Sequence, residues 1–195
     1  QWDSLTIWEN EHSGHGTDGK FGPDHFGDRL QELNFEQQYL VLHHQLPTLS
    51  EEYQALPLIE QNGFFFIAGN SQWRDSAYAN RFLIHSGYSG ALLFDDEFSR
   101  SHEMENELTQ LSEKVLRDAY GNELKTIYAV LPSFTLGQTT FTDIPVGFFS
   151  GSIARQKMSV MGGDLLKRFN WIFDLENGTI YLKANTLKET PYVNN

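Results

Sequence analysis

The sequence contains no cysteine, which excludes disulfide scaffolds, thiolate zinc centres and thiol nucleophiles at once. Positive charge is scarce: 14 Lys and Arg against 26 Asp and Glu leave a formal net charge of −12. Nucleic-acid backbones and anionic membrane surfaces call for basic patches, so neither is an expected partner. Long apolar runs are missing too. The longest, such as Phe64 to Ala68, reach only five or six residues, well short of the roughly 20 that span a bilayer as a helix, so no transmembrane segment is expected. The chain opens on Gln1, and no basic-then-apolar export signal follows it. The expectation is a chain that has lost a leader or is a piece of something longer.

What is present suits a packed core. The 195 residues are 39% apolar and 14% aromatic, with 15 Phe, a composition that folds rather than staying disordered. The pattern reads mostly as strands and turns. Residues 1 to 20 are polar, with one short strand expected at Leu5 to Trp8. A helical turn is expected after Pro23, then strand alternation over Leu33 to Leu42 with Gln37-Gln38 as a turn. Pro47, Pro57 and Asn62-Gly63 mark a connector. Phe64 to Ala68 and Arg81 to Ile84 read as strands.

One longer helix is expected from Asp95 to about Leu116. Met104, Leu108, Leu111 and Val115 recur at steps of four, three and four, and Asp95, Asp96 and Glu97 supply the negative charge that a first turn favours. The cluster Glu103, Glu105, Glu107 then reads as its wet face. Hairpins are expected at Gly121-Asn122, between Leu116 to Tyr120 and Leu124 to Leu131, and at Gly137-Gln138. A short helix is expected over Gly163 to Phe169. The last two strands should meet at Asn177-Gly178 in a type I′ turn.

Residues 22 to 43 align without gaps on residues 162 to 183. Gly22 matches Gly162, Asp24 matches Asp164, Glu36 matches Glu176 and Leu42 matches Leu182, while Leu33, Phe35 and Leu40 face Phe173, Leu175 and Ile180. Both stretches read as a Gly, an Asp-led helical turn and a hairpin. Any turn, helix and hairpin produces some such match; a true repeat makes the two stretches closing segments of related lobes.

The chemistry-bearing stretch is Arg81-Phe82-Leu83-Ile84-His85-Ser86-Gly87-Tyr88-Ser89-Gly90-Ala91-Leu92-Leu93-Phe94: an apolar strand, a Gly-rich turn and a second apolar strand. With Val160-Met161-Gly162-Gly163-Asp164-Leu165-Leu166 downstream, it resembles the retropepsin- and pepsin-like aspartic proteases, in particular their bacterial branch. The resemblance covers residues 62 to 187, with a fainter echo over 18 to 46. It implies an all-β, aspartic-protease-like lobe with a short C-terminal helix. Val160, Met161 and Gly162 would support the active loop of His85, Ser86 and Gly87, and Tyr88 and Ser89 would border a peptide-holding cleft. Tyr88 beside that loop would either contact ligand or pack. The family is usually exported, so an exported location is expected.

Two departures bear on activity. The family's catalytic aspartate falls on His85. In these enzymes two carboxylates share one proton: one activates water and the other polarises the peptide carbonyl. Like charges that repel create that shared state. A histidine opposite an aspartate has the reverse coupling and forms an ion pair, so hydrolysis is expected to be impaired. The second departure is the partner loop: His12-Ser13-Gly14 repeats the letters, but no apolar strand leads into it, and the match reads as chance.

Other candidates have plain readings. His12, His15, Asp18, Asp24 and His25 fall within 14 residues but match no defined metal spacing, so neither metal nor cofactor is expected. His43-His44 should end a strand in solvent. Asn177-Gly178-Thr179 fits a glycosylation sequon, but the turn explains it. Ser86 as a nucleophile with His85 is disfavoured, because adjacent residues at a strand end point apart.

The expected organisation is therefore the end of a first lobe (1–46), a connector (47–61), a complete lobe (62–187) and a tail (188–195). The expected function is that of an aspartic-type peptidase family member with a degenerate active site. A non-catalytic peptide-binding module is the alternative, and a metal site shared by His85 and a partner carboxylate is the third reading. A peptide or protein is the expected substrate. The facing lobe would come from an upstream segment, a separate chain or a homodimer.

Overall fold

The structure, a computed structural model, describes residues 22–117, 120, 122–152 and 154–193. The strand expected at Leu5 to Trp8, the His12-Ser13-Gly14 triplet, and His12, His15 and Asp18 lie outside this range.

The chain is all-β with a few short helices, as expected. Strands β1 (Leu30–Asn34), β2 (Tyr39–His43), β3 (Gln54–Pro57), β4 (Ile59–Gln61), β5 (Phe64–Trp73), β6 (Ser76–His85) and β7 (Leu92–Leu93) come first. Helices α1 (Asp96–Ser101) and α2 (Met104–Glu107) lead to β8 (Thr109–Arg117), β9 (Glu123–Leu136), β10 (Thr139–Ser150) and β11 (Val160–Gly162). The chain continues through α3 (Gly163–Leu166), β12 (Phe169–Asp174) and β13 (Thr179–Ala184). One sheet has the order β2-β1-β12-β13-β3; the other runs β4-β5-β6-β11-β7-β10-β9-β8. The second closes into a barrel, because β5 also pairs with β9 at Asn70–Thr135, Ser71–Phe134 and Gln72–Ser133.

Alternation along β5 explains the closure. Ile67, Gly69, Ser71 and Trp73 point inward, and Ala68, Asn70 and Gln72 outward. Phe82 sits at the barrel centre, edge-to-face with Phe94 at 5.5 Å and with Phe134 at 5.3 Å. All three rings are fully buried, each contributing roughly 1.5–3 kcal/mol.

The sequence repeat is a symmetry of the fold. With the offset of 140 that sets Gly22 on Gly162, β1 falls on residues 170–174, β2 on 179–183, and the 3-10 turn Pro23–Phe26 on α3. The two connecting loops match in detail: Asn34 Oδ1 accepts from the Gln37 N–H at 2.9 Å, and Asp174 Oδ1 from the Asn177 N–H at 3.1 Å. Gln38 and Gly178 both take φ of 59°. β1 pairs antiparallel with β12, and Glu32 faces Ile172, its own equivalent. A pseudo-two-fold axis therefore passes between these two residues.

Several expectations need correction. The helix from Asp95 to about Leu116 is short and broken. Asp95 is its N-cap, accepting from the Phe98 N–H at 2.8 Å, but Glu103 turns left-handed with φ 50° and Leu108 turns extended. Met104 and Leu108 are buried, whereas Leu111 and Val115 are 49% and 41% exposed. From Thr109 the backbone pairs with β9 as an edge strand, bulged between Gln110 and Ser112. Satisfying the outer edge of β9 outweighs the helical period. The Glu cluster is not a wet face either. Glu105 accepts from Ser150 Oγ at 2.7 Å and Lys125 Nζ at 3.2 Å, and Glu107 pairs with Arg74; only Glu103 is exposed.

The turn at Asn177-Gly178 is not type I′. It is a four-residue loop over 175–178, in which only Gly178 is left-handed and the Asp174 carboxylate holds the backbone. Gly137-Gln138 is the expected two-residue connection, with φ of 58° at Gly137. The β8–β9 hairpin pairs Arg117 with Glu123, while Gly121 itself lies outside the described residues. His43 is not a solvent residue, since its Nε2 meets Glu32 Oε2 at 2.6 Å; His44 is exposed. The connector carries β3 and β4. The C-terminal segment is held by the buried Arg168, whose guanidinium donates to the carbonyls of Leu187, Lys188 and Thr190 and faces the Tyr192 ring at 3.8 Å.

Two outcomes follow. The matched loops should respond oppositely to exchange: Gln38→Gly stabilises by about 0.5–1 kcal/mol, and Gly178→Gln destabilises by about 1–2 kcal/mol, in urea unfolding. Ser150 above all, and then Lys125, holds the Glu105 carboxyl below its usual range. Its contribution is therefore full above the ordinary carboxylate pKa and is lost as pH falls through the lowered value. Glu105→Gln should cost stability at neutral pH and cost progressively less toward strong acid, read as urea midpoints across pH.

Candidate functional site

His85 is the last residue of β6. β11 runs parallel beside it, pairing Val160 with Leu83, Met161 with Ile84 and Gly162 with His85. On its other side β11 lies antiparallel to β7. The strands on either side of the Gly-rich turn are thus not neighbours, because β11 is inserted between them. Loop 86–91 has to cross the end of β11, and the crossing is tight. Gly162 N donates to the Ala91 carbonyl at 2.9 Å and Gly163 N to the Tyr88 carbonyl at 2.7 Å. A Cβ on Gly162 would collide with the carbonyls of Gly90 and Tyr88, whereas one on Gly163 would make ordinary contacts at 3.4 and 3.6 Å. Val160 and Met161 are buried beneath the crossing.

The loop presents His85, Ser86, Gly87 and Ser89 to solvent, and Tyr88 is half-buried. Tyr88 N donates to the His85 carbonyl at 3.2 Å. The Gly87 N–H donates to His85 Nδ1 at 3.3 Å. Acceptance at Nδ1 places the ring proton of a neutral imidazole on Nε2, the atom left for an external partner. Among the described residues, no hydrogen bond joins His85 to Ser86 or to a carboxylate. The Tyr88 side chain turns inward onto Phe66, Leu83 and Val160, close to Gly90 and Gly162. Burial above all, and then neighbouring Tyr128, pushes its hydroxyl up to about 12. It stays neutral and braces the loop from within.

Of the His and Asp residues gathered between positions 12 and 25, only Asp24 and His25 fall in the described range, in the turn Pro23–Phe26. Among the described residues no three His, Asp or Glu side chains gather as ligands, and no helix is long and apolar enough to cross a membrane.

A second feature lies beside the middle of β6. A groove of about 320 Å³ is lined by Phe66, Asn80, Arg81, Asp95, Glu97, Phe98, Ser101, Lys157, Met158 and Ser159. It is four to five residues from His85 along the strand, about 13–17 Å at ~3.3 Å per residue. The buried Ser159 hydroxyl donates to Asp95 Oδ2 at 2.7 Å and accepts from Asn80 Nδ2 at 2.9 Å and the Asp95 N–H at 3.0 Å. Sequence reasoning found Asp95 only as negative charge in the first turn of a helix. Its partners are 64 residues away, and no local pattern joins them. The hydroxyl is fully engaged, so this network ties α1 to β6 and to the residue before β11.

No family model and no curated protein matches the chain. Among solved structures, the basic 7S globulin of soybean aligns with 84% of this chain at 12% identity and a TM-score of 0.45. The chain spans about half of that protein's length, 53%.

The crossing generates a paired test. Gly162→Ala should destabilise by about 1–3 kcal/mol, as over-packed sites do, while Gly163→Ala changes stability by no more than about 0.5 kcal/mol. Both are read from urea unfolding curves.

Proposed function

We propose that the chain supplies one side of an aspartic-protease-like cleft that holds an extended peptide, with hydrolysis lost or severely impaired because His85 occupies the acid's position. One observation carries this reading: a strand ending in His85, a Gly-rich loop crossing the Gly162-Gly163 turn, and β11 inserted between the loop's two strands, parallel to β6 and antiparallel to β7. That arrangement holds His85 and Ser86 out into solvent on a rigid support, where a facing lobe and a bound peptide would meet them.

The chemistry follows from the side chain present. Peptide hydrolysis by two carboxylates needs one protonated and one ionised group within reach of the same water. His85 offers an imidazole whose Nδ1 is engaged by the Gly87 N–H, leaving Nε2 to face the cleft. Opposite a carboxylate, that nitrogen forms a charge-assisted hydrogen bond and does not share a proton between like groups. The carboxylate is then tied up accepting that hydrogen bond instead of activating water. Backbone groups of the loop remain able to hold an extended peptide, so binding survives where turnover does not.

The test uses the unaltered chain and the His85→Asp variant, each with a facing lobe supplied. The unaltered protein should bind an extended peptide saturably without cleaving it. His85→Asp should raise peptidase activity at acid pH by about 10²-fold or more, the usual worth of acid–base groups. Cleavage by the unaltered protein, blocked by a hydroxyl-bearing transition-state mimic, would contradict the reading.

A further inference from the structure

The groove beside the middle of β6 runs against the charge of the chain as a whole. The sequence carries a net charge of −12, yet Arg81 and Lys157 both line this groove. Among the described residues neither of them makes an ion pair. The Arg81 guanidinium lies over the Phe66 ring, 5.3 Å from its centroid. A guanidinium stacked on a ring keeps its N–H edges free, and it grips a carboxylate through two parallel hydrogen bonds. Asp95 is turned into the fold instead, accepting from the Phe98 N–H at 2.8 Å and the Ser159 hydroxyl at 2.7 Å. That leaves Glu97, exposed on α1, to oppose two cations. The groove also shares a face with His85. Phe82 points into the barrel, so Arg81, Leu83 and His85 point outward in one row. Leu83 packs on this outer face with Phe66 and Val160, and Met158 and Tyr88 lie against them. β11 keeps level with the row: Val160 pairs with Leu83, and two residues before that pair come Met158 and Arg81, both on the groove.

We infer that the peptide held at His85 carries an acidic side chain, and that its carboxylate binds in this groove between Arg81 and Lys157. The inference rests on the proposed function and adds a substrate class, an acidic peptide. The spacing follows from the row on β6. An extended peptide rises by about 3.3 Å per residue, as the strand does, so the acid lies four or five residues along the peptide from the one beside His85. The intervening residues pass the apolar surface of Leu83, Met158 and Tyr88. A basic side chain in the groove would face both cations. The extra charge of a phosphate would face Glu97 and Asp95. A singly charged carboxylate meets neither penalty. Its binding site is held in shape by the Ser159 hydroxyl, which ties Asn80 on β6 to Asp95 beside α1.

The test uses two pools of peptides, random in uncharged residues at every position but one, which is Glu in one pool and Gln in the other. Each is titrated by fluorescence anisotropy against the unaltered protein with its facing lobe supplied. The Glu pool should bind about 5-fold tighter or more, as a hydrogen bond to a charged group allows, and added salt should shrink the difference. Arg81→Gln and Lys157→Gln should each bring the two pools together. Lys183→Gln on β13, which removes the same charge from the other sheet, should leave the preference intact. A photoreactive residue four or five positions from the Glu should cross-link to loop 86–91. Equal affinity for the two pools, or a preference that survives Arg81→Gln combined with Lys157→Gln, would overturn the inference, while saturable binding would leave the proposed function standing. Cross-links that miss the loop, or no binding of either pool, would remove both.

Discussion

The rest of the structure depends on the antiparallel pairing of β1 with β12. It joins residues 31–34 to residues 170–173, so the beginning and the end of the described chain share one sheet. β12 is buried at every position, because it has a strand on each edge and the barrel over one face. The closure of such a long-range contact is entropically expensive and is offset by the burial of Trp171, Phe173, Ile180 and Leu182 in the common core. The same pairing fixes the pseudo-two-fold axis. From that axis follow the equivalence of the two loops, the side of the sheet that is covered, and the side that is not.

The loop bearing His85 depends on a second constraint, the close approach of backbone to backbone at Gly162. Inserting β11 between β6 and β7 forces loop 86–91 over its end, and only a residue without a Cβ allows the crossing. Tyr88, neutral and turned inward, stiffens the loop from below, while His85 and Ser86 remain outward. A rigid support with an exposed tip is how folds place groups that meet a ligand. The Asp95–Ser159–Asn80 network serves the same end from the other side, locking the residue before β11 to β6 and α1.

Much of this was legible locally. The Gly137 turn, the β8–β9 hairpin and the strand–loop–strand around His85 could be read from short patterns, because their causes lie within a few residues. The internal repeat was visible as four identities, and the loop geometry at Asn34 and Asp174 gives it a physical basis. The expected helix failed beyond Leu108, since a 3.6-residue period cannot register that β9 has an edge to fill. Glu32–His43, Glu105–Ser150 and the grip of Arg168 on the C-terminal segment escaped notice for a similar reason: each partner is brought by topology. The Asn177-Gly178 turn was read as type I′ because that dipeptide favours it, yet the Asp174 side chain builds a longer loop.

The central claim is that β1–β2 and β13–β12 are equivalent halves of one sheet, of which only the second is covered in this chain. Amide hydrogen exchange tests it most directly, by comparing Tyr39–His43 with Thr179–Lys183 in the same protein. The account predicts fast exchange in Tyr39–His43 and slow exchange in Thr179–Lys183. Equal protection of the two strands would contradict it.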